Sequence, residues 1–292
     1  MKGQYTIVVS SCDKYRDLWD PFFKILKNEW EGIEEIPIVL NTESEFYTYK
    51  GLNITTFQLY KTDEDVSWTK RLRETLKRID TEYIITLLDD FFMMGKINAE
   101  EIYKHIGWME ENKQISVFSY METFSDNIKD DKYVGFEKRH IFGTYKFNCQ
   151  AALWRRTRLI SYLDHDENPW EWETYGNWRS YRHPFHLFYS YDINYDYIFP
   201  YIYTAGGISL GGLGLFRGSC YLPYVKPLFE KYGIDIDFSK RGIISDEELS
   251  EIIKQGIPNE KDVSKKFATI RRYYGNIKYI IQNWSLIRKH FF

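Results

Sequence analysis

The chain has 292 residues, 43% hydrophobic and 28% charged, a balance that excludes a disordered polypeptide and suits one large α/β domain, alone or with a small helical appendage. Net charge is −3, but residues 263–292 hold seven Lys or Arg and no acid, so a +7 tail follows a body of −10. An acidic body excludes a general nucleic-acid binder, and three widely spaced cysteines, Cys12, Cys149 and Cys220, exclude a disulfide framework or a zinc site.

Met1 to Tyr5 runs into a strand-like segment without a signal-peptide pattern. Tyr5 to Val9 reads as a strand that ends in the polar turn Ser10-Ser11-Cys12-Asp13. Leu18, Trp19, Phe22, Phe23, Leu26 and Trp30 then recur at helical spacing. Ile36 to Leu40 and Ile54 to Leu59 read as further strands. Over 67–80 the spacing predicts an amphipathic helix, capped by Ser67, with Trp68, Leu72, Leu76 and Ile79 on its apolar face. Tyr83 to Leu88 is a nearly unbroken apolar run, as expected of a central parallel strand buried on both faces. This β-α-β order predicts an α/β fold with a mostly parallel central sheet flanked by helices.

The second half is less regular. Ile115 to Tyr120 and Phe147 to Trp154 are strand-like. Residues 165–183 read as a long functional loop with helical turns. Residues 204–218 carry six glycines in a segment able to approach a ligand closely. A short acidic helix is expected over 245–256. The last element, around Ile270 to Phe291, reads as a basic amphipathic helix for a membrane surface, its own domain or a partner. The expected division is a catalytic domain over 1–244 and a basic helical extension over 245–292.

The strongest chemical signal is Leu87-Leu88-Asp89-Asp90-Phe91-Phe92. Ligands of open α/β sheets bind beyond the carboxyl ends of strands, and two adjacent aspartates repel unless a cation neutralises them. Their hard oxygens suit Mg²⁺ or Mn²⁺ bridging to phosphates. Solvated loop charges are the plain alternative. The order Trp68-Thr69-Lys70-Arg71-Leu72, then Tyr83 to Leu88, then Asp89-Asp90 resembles the donor-binding half of GT-A glycosyltransferases, a Rossmann-like fold, with Leu88 in place of the first carboxylate of the usual Asp-x-Asp.

The resemblance implies that Asp89 and Asp90 hold a divalent metal and the donor diphosphate. It also implies that Ser10, Ser11 and Asp13 face the nucleotide and that Lys70 or Arg71 lies near the phosphates. Phe147 to Arg156 is similar to the small-residue segment that closes the donor-sugar pocket, where Gln150 would bond sugar hydroxyls. Asn168-Pro169-Trp170-Glu171-Trp172-Glu173 is similar to a stretch of bacterial surface-polysaccharide (capsule or O-antigen) transferases. There Glu173, with Glu171 second, would be the general base, and Trp170 or Trp172 would stack on the acceptor sugar. The same residues also spell a helix start, with Asn168 as cap and Pro169 in the first turn. His183 and His186 are candidates for a third metal ligand or a phosphate contact.

The expected function is transfer of a sugar, with inversion, from a nucleotide-diphosphate donor such as a UDP-sugar to a saccharide or lipid-linked acceptor in surface-polysaccharide synthesis. The expected setting is cytoplasmic, peripheral on the inner membrane face. A carbohydrate-binding protein without catalysis and a nucleotidyltransferase are the alternatives. The latter calls for a glycine-rich basic loop after the first strand, and Ser10-Ser11-Cys12-Asp13-Lys14 is not one.

Overall fold

A computed structural model describes residues 4–61, 64–121, 127–140, 146–192, 194–201, 212–216 and 218–254. In chain order the elements are β1 (Tyr5–Ser10), α1 (Arg16–Glu29), β2 (Ile38–Thr42), β3 (Ile54–Gln58), α2 (Trp68–Lys77), β4 (Tyr83–Leu88), α3 (Ala99–Glu111) and β5 (Ile115–Ser119). There follow β6 (Asn127–Lys129), β7 (Phe136–Arg139), β8 (Ala152–Arg155), α4 (Arg156–Ser161), α5 (Pro169–Ser180), β9 (Leu187–Tyr191), β10 (Leu215–Phe216), β11 (Cys220–Tyr221), α6 (Val225–Lys231) and α7 (Asp246–Lys254).

Nine strands form one sheet in the order β3-β2-β1-β4-β8-β5-β9-β7-β6. β1 is parallel to β2 and β4, β2 to β3, and β5 to β9. β8 runs against β4 and β5, and β7 against β9 and β6. All strands but β7 and β8 therefore point one way, and the mostly parallel α/β architecture expected from the sequence is present. β4 lies inside the sheet, between β1 and β8.

Side chains alternate across the strands. Ile7, Val9, Ile38, Leu40, Ile85 and Leu87 face Leu18, Trp19, Phe22 and Leu26 of α1 and Ile102 and Ile106 of α3. Val8, Val39, Ile84 and Trp154 face Leu72 and Leu76 of α2, Leu159 of α4 and Trp172 of α5. Helices thus cover both faces, which explains the continuous apolar runs of β1 and β4. Each fully buried large side chain contributes about 1.5–3 kcal/mol relative to exposure.

Several elements differ from the sequence expectation. Ser67 caps α2 as expected, its hydroxyl accepting from the Lys70 amide at 3.2 Å. Residues 169–180 form a full helix, α5, within the stretch read as a loop with helical turns, and it begins where Asn168 and Pro169 spell a helix start. Asn168 Oδ1 accepts from the Glu171 amide at 2.9 Å and Glu171 Oε2 from the Asn168 amide at 3.0 Å, a reciprocal cap. The strand expected over Phe147 to Trp154 begins at Ala152, because residues 146–149 bond instead to Asn177, Ser119 and Glu173. α3 was not anticipated. The acidic helix near 245 is α7, capped by Ser245. The basic helix expected around 270–291 lies outside the described residues. Among those described, no helix is long and apolar enough to cross a membrane, and the three cysteines form no disulfide.

Candidate active site

The parallel strands β1, β2 and β4 end together at Ser10, Thr42 and Leu88, and the loops after them form one edge. Asp89, directly after β4, is 1% exposed. Its Oδ2 accepts from the Ser11 hydroxyl and from Trp19 Nε1, the latter at 3.0 Å, and Trp19 also bonds Ser11 Oγ at 2.7 Å. Burial and the neighbouring Asp90 push the Asp89 carboxyl well above the usual range, and the Ser11 and Trp19 donors only partly oppose this. Asp89 thus ties the end of β4 to the β1 loop and to α1.

Asp90 stays partly exposed. Burial raises its carboxyl to about 6, against the opposing pull of its own amide and of Arg241. Its backbone is held by the end of the glycine-rich segment: Gly214 N–H donates to Asp90 O at 2.5 Å and Phe92 N–H to Gly212 O at 2.7 Å. A Cβ at Gly214 would lie 2.3 Å from Phe92 Cε2 and 3.0 Å from Asp90 O, so this approach requires glycine. Residues 204–211 and 217 of that segment lie outside the described set.

Around these acids the sequence-predicted residues divide. Ser10 pairs with Asn41 and Leu88 across the sheet, and Ser11 bonds Asp89 as above. Asp13 turns toward the loop after β2. Its carboxylate accepts from the Glu43, Ser44 and Glu45 amides and from the Ser44 hydroxyl. Burial raises that carboxyl, but these donors outweigh it and hold it at about 2. Arg71 is buried against Glu43, with which it forms an ion pair. The Lys70 ammonium sits 5.3 Å from the centre of the Tyr60 ring. Three buried polar atoms in these segments have no hydrogen-bond partner: Asn41 Oδ1, Arg71 Nε and Gln150 Oε1.

The Trp-Glu-Trp-Glu stretch comes to the same edge. Thr69, in the first turn of α2, bonds the His165 carbonyl at 2.6 Å and the Glu167 amide at 2.9 Å, which brings the start of α5 beside the start of α2. β8 lies antiparallel to β4 with Thr86 opposite Ala152, so residues 148–150 approach alongside the end of β4. There Glu173 Oε1 accepts from the Cys149 amide at 2.7 Å. Burial raises the Glu173 carboxyl, opposed by that amide and by the Cys149 thiol. Glu171 is exposed and occupied in the α5 cap.

The two tryptophans separate. Trp170 is 74% exposed, whereas Trp172 is 2% exposed and packs against Trp68, Phe147 and Trp154. Its Nε1 donates to the Tyr162 carbonyl at 3.1 Å, so Trp172 is a core residue rather than a sugar platform. Trp172→Phe should lower unfolding stability by about 1–2 kcal/mol, from lost volume and a stranded carbonyl. Trp170→Ala should stay within about 0.5 kcal/mol of wild type. Denaturant titration checks both.

The histidines are not part of the site. His183 and His186 stack on each other at 4.6 Å just before β9, whose direction matches β4, and so lie at the opposite edge of the sheet. His186 bonds Arg158 and Tyr162 there.

Sequence reasoning missed Tyr15 and Arg241. The Arg241 guanidinium lies 5.3 Å from the centre of the Tyr15 ring, and burial and the Asp90 charge push the Tyr15 hydroxyl up to about 12.

No protein-family description matches the chain, and no curated protein does. Solved structures share parts of the fold at low likeness. A mannosyltransferase from Pyrobaculum calidifontis in complex with GDP-Man and Mn²⁺ is 11% identical, with a TM-score of 0.36, over 54% of this chain and 46% of that one. Residues 1–349 of S. aureus TarS in complex with UDP-GlcNAc are 11% identical, with a TM-score of 0.40, over 96% and 80%. A cytidylyltransferase from Leptospira borgpetersenii is 12% identical, with a TM-score of 0.36, over 58% and 68%. The chain spans less than half of the mannosyltransferase. At these scores the likeness carries no functional argument.

Proposed function

We propose that the chain is a glycosyltransferase of the GT-A type that moves a sugar from a nucleotide-diphosphate donor, a UDP-sugar first among those to test, to a saccharide acceptor. The observation that carries this reading is the division of labour at the end of β4. Asp89 is locked by Ser11 and Trp19, which leaves the partly exposed Asp90 free of those bonds, with a carboxyl raised by burial. A carboxylate in that setting gains from a counter-charge.

Among the described residues no three His, Cys, Asp or Glu side chains come together as a metal site. The donor set nevertheless fits Mg²⁺ or Mn²⁺ shared with a ligand: Asp90 would supply one oxygen, and phosphate and water the rest of the shell. Such an ion neutralises charge that develops on a departing diphosphate. The unpartnered Asn41 Oδ1, Arg71 Nε and Gln150 Oε1 offer two acceptors and a donor to nucleotide and sugar.

Glu173, fixed by the Cys149 amide, takes the proton of the acceptor hydroxyl as that oxygen attacks the anomeric carbon. Attack from the face opposite the leaving diphosphate inverts the configuration. Trp170, exposed at the start of α5, offers its ring to the acceptor sugar. The sequence resemblance supports a lipid-linked surface polysaccharide as acceptor, reached at the inner membrane face through the basic tail.

Thermal shift across a panel of nucleotides and nucleotide sugars with Mn²⁺ tests the assignment. A true donor at 100 times its Kd should add about 2.7 kcal/mol of apparent stability. No metal-dependent shift from any nucleotide diphosphate would leave the proposal without its substrate.

A further inference from the structure

Asp17 and Arg241 lie 224 residues apart in sequence, yet their side chains meet at one end of the candidate site. Arg241 Nε and Nη2 donate to the two Asp17 oxygens, both at 2.7 Å. Nη2 also donates to the Lys14 carbonyl at 2.7 Å and Nη1 to the Gly218 carbonyl at 3.3 Å. Tyr221 adds its hydroxyl to Asp17 Oδ2 at 3.2 Å. One guanidinium thus joins the segment after β1, the first turn of α1 and the turn between β10 and β11.

We infer that Arg241 is a positioning residue: it fastens the β10–β11 hairpin to the segment after β1 and thereby fixes the backbone contact that aims Asp90. The fastening stands on geometry alone, and its catalytic meaning rests on the transferase reading above. Several contacts hold the hairpin, among them Tyr221 N–H to Gly242 O and Ile244 N–H to Tyr221 O, both at 3.0 Å, and two of them link its turn to Asp90. Near β4, Gly214 N–H holds Asp90 O. At the turn, Arg241 holds Gly218 O, and a Cβ at Gly218 would fall 2.4 Å from the Tyr15 hydroxyl oxygen. Between these pins β10 and β11 are two residues each, too short to hold themselves in place. Releasing the turn therefore loosens the Gly214 contact, and Asp90 with it. The planar fork of arginine suits this task, since it can satisfy a carboxylate and two carbonyls at once.

Arg241→Ala, Arg241→Lys and Asp17→Asn test the inference in the full chain by two measurements. Hydrogen exchange of the ligand-free protein reads the fastening. The Gly214 amide and the peptide covering 212–221 should exchange at least tenfold faster in Arg241→Ala, with Arg241→Lys between it and wild type. Steady-state kinetics with a nucleotide sugar that wild type uses reads the positioning. Per folded molecule, kcat should fall ten- to a hundredfold while the acceptor KM stays within twofold. Asp17→Asn should match that loss and add less than twofold to it in the double variant, because the two share one interaction.

Unchanged exchange in Arg241→Ala overturns the fastening, and faster exchange with wild-type kcat overturns the positioning role. Should Arg241→Ala not fold, Arg241→Lys and Asp17→Asn supply the same two readouts. If wild type turns over no nucleotide sugar, the transferase reading fails, and exchange alone decides the fastening.

Discussion

Asp90→Asn should lower kcat for sugar transfer by about 10²–10³-fold, the range seen when one preorganised charge-stabilising group is removed, and should abolish the Mn²⁺-dependent heat of UDP binding. Asp89→Asn should behave differently. An asparagine carbonyl oxygen can still accept from Ser11 and Trp19, whose bonds to Asp89 Oδ2 hold β1, α1 and β4 together, so turnover should stay within tenfold of wild type. Asp89→Ala strands both donors and should cost about 1–3 kcal/mol of stability. Full activity in Asp90→Asn beside an inactive but folded Asp89→Asn would reverse the assignment of the two acids.

Asp90 also predicts a pH dependence whose sign follows from its raised carboxyl. The unfolded chain releases this proton near 3.8 and the folded chain near 6. Between those values the native state binds more protons than the unfolded state, so stability falls as pH rises through this window and the full penalty applies above it. Allowing for partial exposure, the penalty is about 1–3 kcal/mol. Asp90→Asn should therefore be the more stable protein at pH 7 and equal to wild type near pH 3.5, as read by urea midpoints in the absence of metal. Loss of one charge at the proposed site combined with a gain in stability would mark a functional acid rather than a packing residue.

How much of this was legible beforehand depended on how local each feature is. β1 and β4 were readable because helices cover both faces, leaving apolar runs with no polar alternation. α2 carried its own punctuation in Ser67. The outer strands β6 and β7 were not readable: Asn127–Lys129 and Phe136–Arg139 are short, charged and partly exposed, and their pairing is a tertiary event. The unequal roles of Asp89 and Asp90 were equally hidden, since Trp19, which locks the first, lies 70 residues away. Arg241 had no local signal at all. The two tryptophans are the instructive case. Residues two apart on a helix face different ways, so the helix start spelled by Asn168 and Pro169 already implies opposite surroundings for Trp170 and Trp172.

Glu173→Gln should leave donor binding intact and remove turnover. Glutamine can still accept from the Cys149 amide at the position of Oε1, so the side chain keeps its place and loses only its basicity. General-base catalysis contributes about 10²–10⁴-fold, and kcat should fall by that factor while the heat of UDP with Mn²⁺ stays at the wild-type value. Glu171→Gln is the control, because Glu171 is exposed and engaged in the α5 cap. In wild type the acid limb of kcat/KM should lie above 4.5, because burial raises the Glu173 carboxyl. The Cys149 thiol favours the ionised form, so Cys149→Ala should move that limb further up without abolishing activity. Turnover in Glu173→Gln equal to wild type, or an acid limb that ignores Cys149→Ala, would remove Glu173 from the reaction and send the search for the base to another acid along this edge.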